Sequence, residues 1–422
     1  MHRLVITEHR RVSIGPEVSR QQADQLRRFD DAHAARFGGH VFDWSGAQHF
    51  AARSYVGVVE VPGLSVEILP KIDRTSESGC RHNVLYMLEV GGSLRARRRS
   101  TASLQSADAP LLDAFAAIFA DTLLQELQVG LDRGYTTREA NLPTVRGRLM
   151  LAEHVRRNAI QQQRVYVRFD EFTADTALNR TLKSAAHHLV RRVRSFDAAR
   201  RLREVIARFD EVTDVSAAQA LQPVLLTRQN ERFRDLLEFA RLVLAGVSPQ
   251  PIAGSERSFS LLFPMYLVFE RFIAALLQRH AAFLARDGLR VVAQARGAHL
   301  AHHGGTNVFE LQPDVLGHDD HGETAFVLDT KWKVVDAERP TTGVNQADAY
   351  QMFAYAERFR APLTTLLYPS LSPTTFDDLE FTAGGRKLRV ATLDLSGDLR
   401  AETARLTRDI AAVLATTISS PG

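Results

Sequence analysis

Two short apolar runs, each ending in charged residues, constrain the fold of this chain more than any other feature. The runs are Phe309–Gly317 and Ala325–Lys333, and the polar residues 317–323 between them are typical of a turn. The pattern predicts two adjacent strands. Asp314 then lies near the end of one strand and Asp329 near the end of the other.

The alternation of side chains along a strand decides which of these residues share a site. Asp329 and Lys331 are two positions apart, so they project from one face, and Thr330 is expected to point away. If the strands pair, Asp314 reaches the same edge. Because facing carboxylates repel each other unless a cation lies between them, Asp314 and Asp329 are candidate ligands of Mg²⁺, with Mn²⁺ as an alternative. Lys331 would orient or help deprotonate a water and offset charge on a phosphate.

The residues of this region resemble a known signature. Pro313-Asp314, followed by Asp329-Thr-Lys331, is similar to the PD-(D/E)xK motif of nucleases. The resemblance implies a restriction-endonuclease-like α/β core, in which Asp314 and Asp329 bind the metal and Lys331 is catalytic. An apolar run at 362–369 supplies a further strand in the expected order of helix, strand, strand, helix and strand.

Two helical segments extend this resemblance. Gln351 and Tyr355 lie four residues apart on one helix face, like the Gln-x-x-x-Tyr helix of RecB-like nucleases, and become catalytic candidates. Glu270 interrupts an apolar helical run where many nucleases of this fold carry an acidic residue, which would make it catalytic and a third metal ligand. An alternative for Glu270 is an ion pair with Arg271 or Lys183.

Length and composition limit the classes of protein that this chain can belong to. With 422 residues it is too long for one ordinary core, so several domains are expected. The net charge of +4 permits nucleic-acid binding without arguing for it. The single cysteine, Cys80, excludes an internal disulfide and a thiolate zinc cluster. No signal sequence or membrane-spanning stretch is recognisable, so a cytoplasmic protein without membrane contact is expected.

The chain is predicted to be an α/β multidomain protein with three parts. These are a β-rich N-terminal domain, a mainly helical middle region and the C-terminal nuclease core, at residues 1–105, 106–250 and 251–422. Strand-like runs at 53–61 and 64–69 flank Pro62-Gly63, which favours a tight turn. A segment rich in proline and glycine at 246–255 is the best candidate for a linker.

Three further phrases narrow the resemblance to one family. The phrase from Pro62 to Lys71, Pro-Gly-Leu-Ser-Val-Glu-Ile-Leu-Pro-Lys, resembles the N-terminal hallmark of McrC, the nuclease subunit of McrBC-type modification-dependent restriction systems. Arg-Gly-Arg-Leu at 146–149 and the segment 169–183 also resemble McrC proteins. With the nuclease motif, the likeness extends over most of the chain.

The resemblance to McrC implies a division of labour with a partner. Such subunits work with an McrB-type AAA+ GTPase, which forms a ring, binds the modified double-stranded DNA and is stimulated by the N-terminal part of McrC. The resemblance thus implies that residues 1–105 are a partner-interaction domain. This sequence has no Gly-x-x-x-x-Gly-Lys-[Ser/Thr] phosphate loop, so GTP would be bound only by that partner. Two alternatives stay open: a stand-alone RecB-like repair nuclease, and a non-catalytic activating subunit of an AAA+ complex.

Clustered basic residues and histidines have open roles. The arginines either form solvated surfaces or contact phosphate. The histidines make zinc conceivable, but no second block of ligands accompanies them, and Mg²⁺ at the aspartates is preferred. The arginines are Arg95, Arg97, Arg98 and Arg99, with Arg191, Arg192, Arg194, Arg200, Arg201 and Arg203, and the histidines are His299, His302, His303, His318 and His321.

Overall fold

A computed structural model gives the architecture of the chain. It forms two compact units, so the predicted mixed α/β multidomain organisation is confirmed. The first unit combines Met1–Arg95, Leu104–Leu112 and Ile252–Gly422, and the second combines Ala96–Ser103 and Asp113–Pro251. The structure describes residues 1–72, 76–92, 109–161, 163–247, 258–280, 289–333, 344–370, 379–381 and 385–414.

The N-terminal part of the first unit is rich in strands. The parallel strands β1 and β6 pair along their whole length, and the predicted Pro62-Gly63 turn joins β6 to the antiparallel β5. Helix α1 packs on this sheet through Leu26 and Phe29, which are fully buried in the core. The elements are β1 (His2–Thr7), β2 (Arg11–Ser13), α1 (Arg20–Phe37), β3 (Phe42–Ser45), β4 (His49–Ala52), β5 (Tyr55–Val61), β6 (Leu64–Leu69) and α2 (Glu77–Val90).

The second unit is mainly helical and also contains a small antiparallel sheet. This sheet has the strand order β7-β9-β8. The elements of this stretch of chain are α3 (Leu111–Leu127), β7 (Gly134–Leu142), β8 (Arg148–Leu149), α4 (Leu151–Asn158), β9 (Val165–Thr173), α5 (Ala177–Val190), α6 (Phe196–Arg208), α7 (Ala217–Ala220) and α8 (Arg234–Ala245).

A buried carboxylate organises the start of α5. Asp175 accepts hydrogen bonds from Arg180 at 2.7 and 2.6 Å and from the main chain and hydroxyl of Thr213 at 3.0 and 2.8 Å. These donors, Arg180 above all, lower the pKa of Asp175 well below its usual range. Asp175 is therefore an ionised and fully satisfied structural group.

The C-terminal part of the first unit contains a six-stranded sheet. Its strand order is β11-β14-β15-β16-β18-β17. The predicted strand pair is observed as the antiparallel β14 and β15, whereas β15, β16 and β18 are parallel neighbours. The elements are β10 (Phe259–Pro264), α9 (Met265–Arg279), β11 (Arg290–Ala293), β12 (Ala298–His303), β13 (Thr306–Leu311), β14 (Val315–His318), β15 (Thr324–Thr330), α10 (Gln346–Phe359), β16 (Leu363–Ser370), β17 (Leu379–Glu380), β18 (Lys387–Asp394) and α11 (Thr403–Leu414).

The first apolar run of the sequence is divided between two strands. Its beginning lies in β13, which pairs with β12 in a separate two-stranded sheet, and its end forms β14. Phe309 in β13 has a left-handed backbone with φ +59° and is exposed. Residues 312–314 connect the two strands, so Asp314 lies just before β14 and not within a strand.

One late strand joins the two ends of the first unit. β10 pairs antiparallel with β5 and completes a sheet with the order β1-β6-β5-β10. Gly57 is required at this contact, because its φ is +133° and a Cβ atom there would lie 2.0 Å from the carbonyl oxygen of Leu261. Pro264 ends β10 and directly precedes α9. The structure thus differs from the three-domain prediction, since the first and third parts share a sheet.

Helix α2 also packs against the C-terminal elements of this unit. The side chain of Asn83 donates to the carbonyl oxygen of Gly397 at 2.8 Å and accepts from the main chain of Leu399 at 3.2 Å. Tyr86 packs edge-on against Phe272 of α9. None of the helices in the described part of the chain is long and apolar enough to cross a membrane.

Candidate active site

Two aspartates meet at the ends of β14 and β15, which are neighbouring internal strands of the six-stranded sheet. β14 and β15 pair with Val315 opposite Leu328, so the next position places Asp314 opposite Asp329. Asp329 is 2% exposed. The main-chain N–H and the hydroxyl of Thr330 both donate to Oδ2 of Asp314, each at 2.7 Å. The predicted approach of the two carboxylates is therefore observed.

The expectation that Thr330 points away from this site was wrong. The alternation of side chains applies to residues within regular strands, but Asp314 lies just outside β14. Its carboxylate can therefore reach the last residue of β15, where Thr330 supplies two donors. Thr330 fixes the orientation of Asp314, a role that the sequence analysis missed.

Lys331 lies among three acceptor groups. Its Nζ is 2.5 Å from Oδ2 of Asp329 and 3.9 Å from Oδ1 of Asp348, and it donates to Oε1 of Gln351 at 3.1 Å. Burial alone would lower the pKa of Lys331, but the carboxylates of Asp329 and Asp348 outweigh it and raise the pKa. The amino group is thus held as an ammonium ion just beyond the end of β15.

Gln351 and Tyr355 share one face of α10 and extend this network. Nε2 of Gln351 donates to the hydroxyl of Tyr355 at 2.9 Å and makes a longer contact of 3.4 Å with Oδ1 of Asp329. Tyr355 in turn donates to the carbonyl oxygen of Gln312 at 2.9 Å. Burial, with the nearby charge of Asp329, raises the pKa of Tyr355, which keeps its phenol neutral.

Glu270 on α9 is connected to the aspartates through Gln294. The side chain of Gln294 donates to Oε1 of Glu270 at 2.7 Å, and its main-chain N–H donates to the carbonyl oxygen of Asp314 at 2.8 Å. Lys183, one of the two alternative partners of Glu270, has its Nζ 3.0 Å from Oδ1 of Asp214. Glu270 is therefore close enough for its charge to affect Asp314.

The electrostatics of the two aspartates are unfavourable without a cation. Burial, followed by the charge of Glu270, raises the pKa of Asp314 to about 6. Burial, followed by the charge of Asp314, raises the pKa of Asp329 to about 6 as well. The contacts with Thr330 and Lys331 oppose these shifts but do not cancel them.

The donor set fits a magnesium ion better than a zinc cluster. Within the described residues, no group of three His, Cys, Asp or Glu side chains is arranged to hold a metal. The five histidines that made zinc conceivable therefore form no such group. Mg²⁺ keeps several waters and needs only one or two carboxylates with a substrate phosphate. Asp314 and Asp329 meet that requirement, and a dication would offset the repulsion that raises their pKa values. Among the described residues, Glu270, which was predicted as a third ligand, does not form such a group of three with these aspartates.

Two other members of the network were also missed by the sequence analysis. Asp348, on α10, forms an ion pair with Lys333 and lies near Lys331. Its position three residues before Gln351 places it on the same helix face, which is a signal that could have identified it. Gln294 has a left-handed backbone with φ +47° and no periodic pattern around it, so the sequence offers no comparable signal.

The arginine clusters differ in what the structure describes. Arg95, Arg97, Arg98 and Arg99 lie outside the described residues. In α6, Arg200 pairs with Asp197 at 2.8 Å, and Arg201 pairs with Asp197 at 2.6 Å and with Asp121. Part of the positive charge of α6 is therefore neutralised within the second unit.

Comparison with known proteins gives one family and related structures. The family model described as McrBC 5-methylcytosine restriction system component matches residues 50–369. A chain from the refined half-complex of the tetradecameric assembly of Thermococcus gammatolerans McrB AAA+ hexamers with bound McrC is 20% identical, covers 98% of this chain and 99% of that chain, and has a TM-score of 0.67. A chain from the cryo-EM structure of the Thermococcus gammatolerans McrBC complex is 23% identical, covers 66% and 88% respectively, and has a TM-score of 0.50. The curated proteins give no match. The structural likenesses show a common fold.

Proposed function

The chain belongs to the McrBC 5-methylcytosine restriction system component family, and we propose that it is the McrC-like nuclease subunit, a Mg²⁺-dependent endodeoxyribonuclease with a PD-(D/E)xK core. The observation that carries this proposal is that Asp314 and Asp329 lie opposite each other at the ends of β14 and β15, with Lys331 in contact with Asp329. Buried carboxylates with raised pKa values beside a lysine are typical of a catalytic centre and not of a surface.

The residues of the site divide the work of phosphodiester hydrolysis. Bound Mg²⁺, or Mn²⁺ in its place, would polarise the phosphate and lower the pKa of a coordinated water. Asp314 and Asp329 supply the oxygen ligands, and Thr330 keeps Asp314 turned toward the site. Lys331, held as an ammonium ion, offsets the charge that develops on the phosphate and orients the water. Gln351 and Tyr355 keep the side chains of Lys331 and Asp329 in place.

We further propose that the chain works with an McrB-type AAA+ GTPase ring on methylated double-stranded DNA. The support is a likeness of fold that covers 98% of the chain to a structure in which McrB AAA+ hexamers have McrC bound. The sequence itself has no Gly-x-x-x-x-Gly-Lys-[Ser/Thr] phosphate loop. GTP hydrolysis and recognition of the modified base would therefore be tasks of the partner, and strand cleavage would be the task of this chain.

Plasmid cleavage tests this proposal directly. The purified chain is incubated with Mg²⁺ and methylated or unmethylated plasmid, with and without its cognate McrB-type AAA+ protein and GTP. We expect cleavage only when the partner, GTP and methylation are all present. The Asp329→Ala variant, assembled in the same complex, should bind the partner and stimulate its GTPase but leave the plasmid intact.

The other outcomes identify the two alternatives. Cleavage by the chain alone, whatever the methylation, would favour a stand-alone repair nuclease. Equal cleavage with the native chain and with Asp329→Ala would mean that another protein cuts the DNA. In that case this chain would be an activating subunit without catalysis.

A further inference from the structure

The two tryptophans of the chain make the same kind of contact at different places. Trp44 donates from Nε1 to Oδ2 of Asp30 at 3.0 Å. Trp332 donates from Nε1 to both carboxylate oxygens of Glu8, at 3.1 and 3.0 Å. The first contact lies within the N-terminal part of the first unit. The second joins that part to the residue that follows Lys331.

Glu8 lies at the carboxyl ends of two parallel strands. β1 ends at Thr7 beside Leu69 of β6, and the main-chain N–H of Glu8 donates to the carbonyl oxygen of Leu69 at 2.9 Å. Just beyond β6, the main-chain N–H of Lys71 donates to Oε1 of Glu8 at 3.0 Å. The backbone of both strands therefore fixes this carboxylate.

Burial of the Glu8 carboxylate costs free energy that packing alone does not explain. It is 3% exposed, and burial raises its pKa to about 7 against the opposing effect of its hydrogen bonds. In the described part of the chain its ion pair is a long one, with Nε2 of His9 at 4.0 Å. By contrast Glu67, in β6, pairs with Arg3 and Arg81 at 2.5 Å each. The close partners of Glu8 are instead neutral donors, namely the main chain of Lys71, the hydroxyl of Ser54 and the indole of Trp332.

Trp332 lies between two residues of the candidate active site. It directly follows Lys331, whose main-chain N–H is bound to the carbonyl oxygen of Leu367 at 2.9 Å. Its ring packs edge-on against Phe269, with centroids 5.5 Å apart and planes at 63°. Phe269 precedes Glu270 on α9. The position of the indole therefore affects both the end of β15 and the helix with Glu270.

We propose that Glu8 is a positioning residue of the nuclease site, which acts through Trp332 to hold Lys331 and Glu270 in place. The inference rests on the proposed nuclease function and deepens it, because it makes the ends of β1 and β6 part of the machinery. A displacement of these strand ends would reach Lys331 through the contact between Glu8 and the indole. The N-terminal sheet would thereby regulate cleavage by the C-terminal core.

Four variants of the chain, each in the assembled complex with its AAA+ partner and GTP, test this role. Glu8→Ala and Trp332→Phe should each lower kcat for plasmid cleavage by about 10- to 100-fold, the usual effect of losing a group that orients a metal-site residue. KM for DNA should stay the same, because neither side chain is proposed to touch DNA. Glu8→Gln should retain most activity, since the amide oxygen can still accept from Lys71 and Trp332. The double variant of Glu8→Ala and Trp332→Phe should be no slower than the slower single variant.

Trp44→Phe is the matched control. It removes the same type of hydrogen bond, to Asp30, but away from the site, so kcat should not change. It also leaves Trp332 as the only tryptophan, which makes its fluorescence a direct readout of the contact. Adding Glu8→Ala in that background should shift the emission to longer wavelength, because the indole loses its buried partner. Adding Glu8→Gln should not.

Three results would overturn the positioning role of Glu8 or the nuclease proposal. Normal kcat in both Glu8→Ala and Trp332→Phe, or independent effects that multiply in the double variant, would overturn the positioning role while leaving the nuclease proposal intact. If Glu8→Ala does not fold by thermal melting, Trp332→Phe and Glu8→Gln carry the test. Failure of the unchanged complex to cleave DNA would reject the nuclease proposal itself, and the positioning role with it.

Discussion

Asp175 in the second unit and Asp329 in the first have the same solvent exposure, 2% each, yet their pKa values are displaced in opposite directions. Arg180 and Thr213 surround Asp175 with donors and lower its pKa. Asp329 lies opposite Asp314, and burial together with this like charge raises its pKa to about 6 although Lys331 is in contact.

The difference distinguishes a carboxylate whose ionised form stabilises the fold from one whose ionised form destabilises it. Asp175 accepts four hydrogen bonds from Arg180 and Thr213 and a longer one from Arg138, so its ionised form favours the native state. The ionised forms of Asp314 and Asp329 disfavour the native state until a cation binds between them. Groups of the second kind are found at functional sites more often than elsewhere.

Asp329→Asn is the change with the largest expected effect on this comparison. It removes a metal ligand and the partner of Lys331, so cleavage by the assembled complex should fall by about 100- to 1000-fold, as for other losses of electrostatic stabilisation. The melting temperature at neutral pH should rise, because one of two repelling charges is gone. Single-turnover cleavage and calorimetry measure the two effects. An unchanged cleavage rate would break the comparison.

Asp175→Asn should have the opposite profile. Loss of the charge that binds Arg180 and Thr213 should lower the free energy of unfolding by about 1.5 to 3 kcal/mol, the range for hydrogen bonds to charged groups. Urea denaturation of the purified chain provides the measurement, with Asp329→Asn as the matched substitution. A greater loss of stability in Asp329→Asn than in Asp175→Asn would contradict the distinction.

The pH dependence of stability should differ between the two kinds of carboxylate. Asp314 and Asp329 have native pKa values of about 6, above the ordinary value of 3.8, so their contribution to stability is full below pH 3.8 and lost as pH rises through about 6. Asp175 has a lowered pKa, so its contribution is present above pH 3.8 and lost as the pH falls further. Without divalent ions, the melting temperature should therefore decline between about pH 4 and pH 7 in the native chain and less so in Asp329→Asn.

Magnesium supplies the control for this pH profile. It should raise the melting temperature at neutral pH, where both aspartates are ionised, and have less effect near pH 5, where they are largely protonated. The same addition to Asp329→Asn should do little. A stabilisation by Mg²⁺ that is independent of pH and of Asp329 would place the ion elsewhere.

Asp348→Asn should give the smallest effect and sharpens the comparison around Lys331. Asp348 contributes to the raised pKa of Lys331 and pairs with Lys333, but it is not a proposed metal ligand. Cleavage should fall by about tenfold, the lower end for groups that orient the residues of a metal site. The rate should be followed against Mg²⁺ concentration. A loss as large as that of Asp329→Asn would show that Asp348 belongs among the ligands.

The part of the site that follows local rules was predictable from the sequence. Short apolar runs on either side of a polar turn predicted the pair of strands, and the four-residue spacing predicted that Gln351 and Tyr355 share a helix face, both of which the structure shows. Local patterns work here because Asp314 and Asp329 are brought together by one antiparallel turn. The roles of these residues in metal binding and catalysis stay predictions.

The remainder depended on features that leave no periodic signal. Gln294 has a left-handed backbone at a bend, and Thr330 contributes because Asp314 lies outside regular structure. The contact between Glu8 and Trp332 joins residues more than three hundred positions apart. Long-range contacts of this kind cannot be inferred from spacing in a single sequence. The pairing of β10 with β5 was missed for the same reason.

The position of β10 in the chain also determines when, during synthesis, β5 gains its second neighbouring strand. β5 ends at Val61, but the neighbour that covers its free edge begins at Phe259, after the whole second unit has been synthesised. A nascent chain on the ribosome therefore exposes the edge of β5 until the second unit has been synthesised, and exposed strand edges can pair between chains. Fragments that stop before Phe259 inherit that open edge and should aggregate.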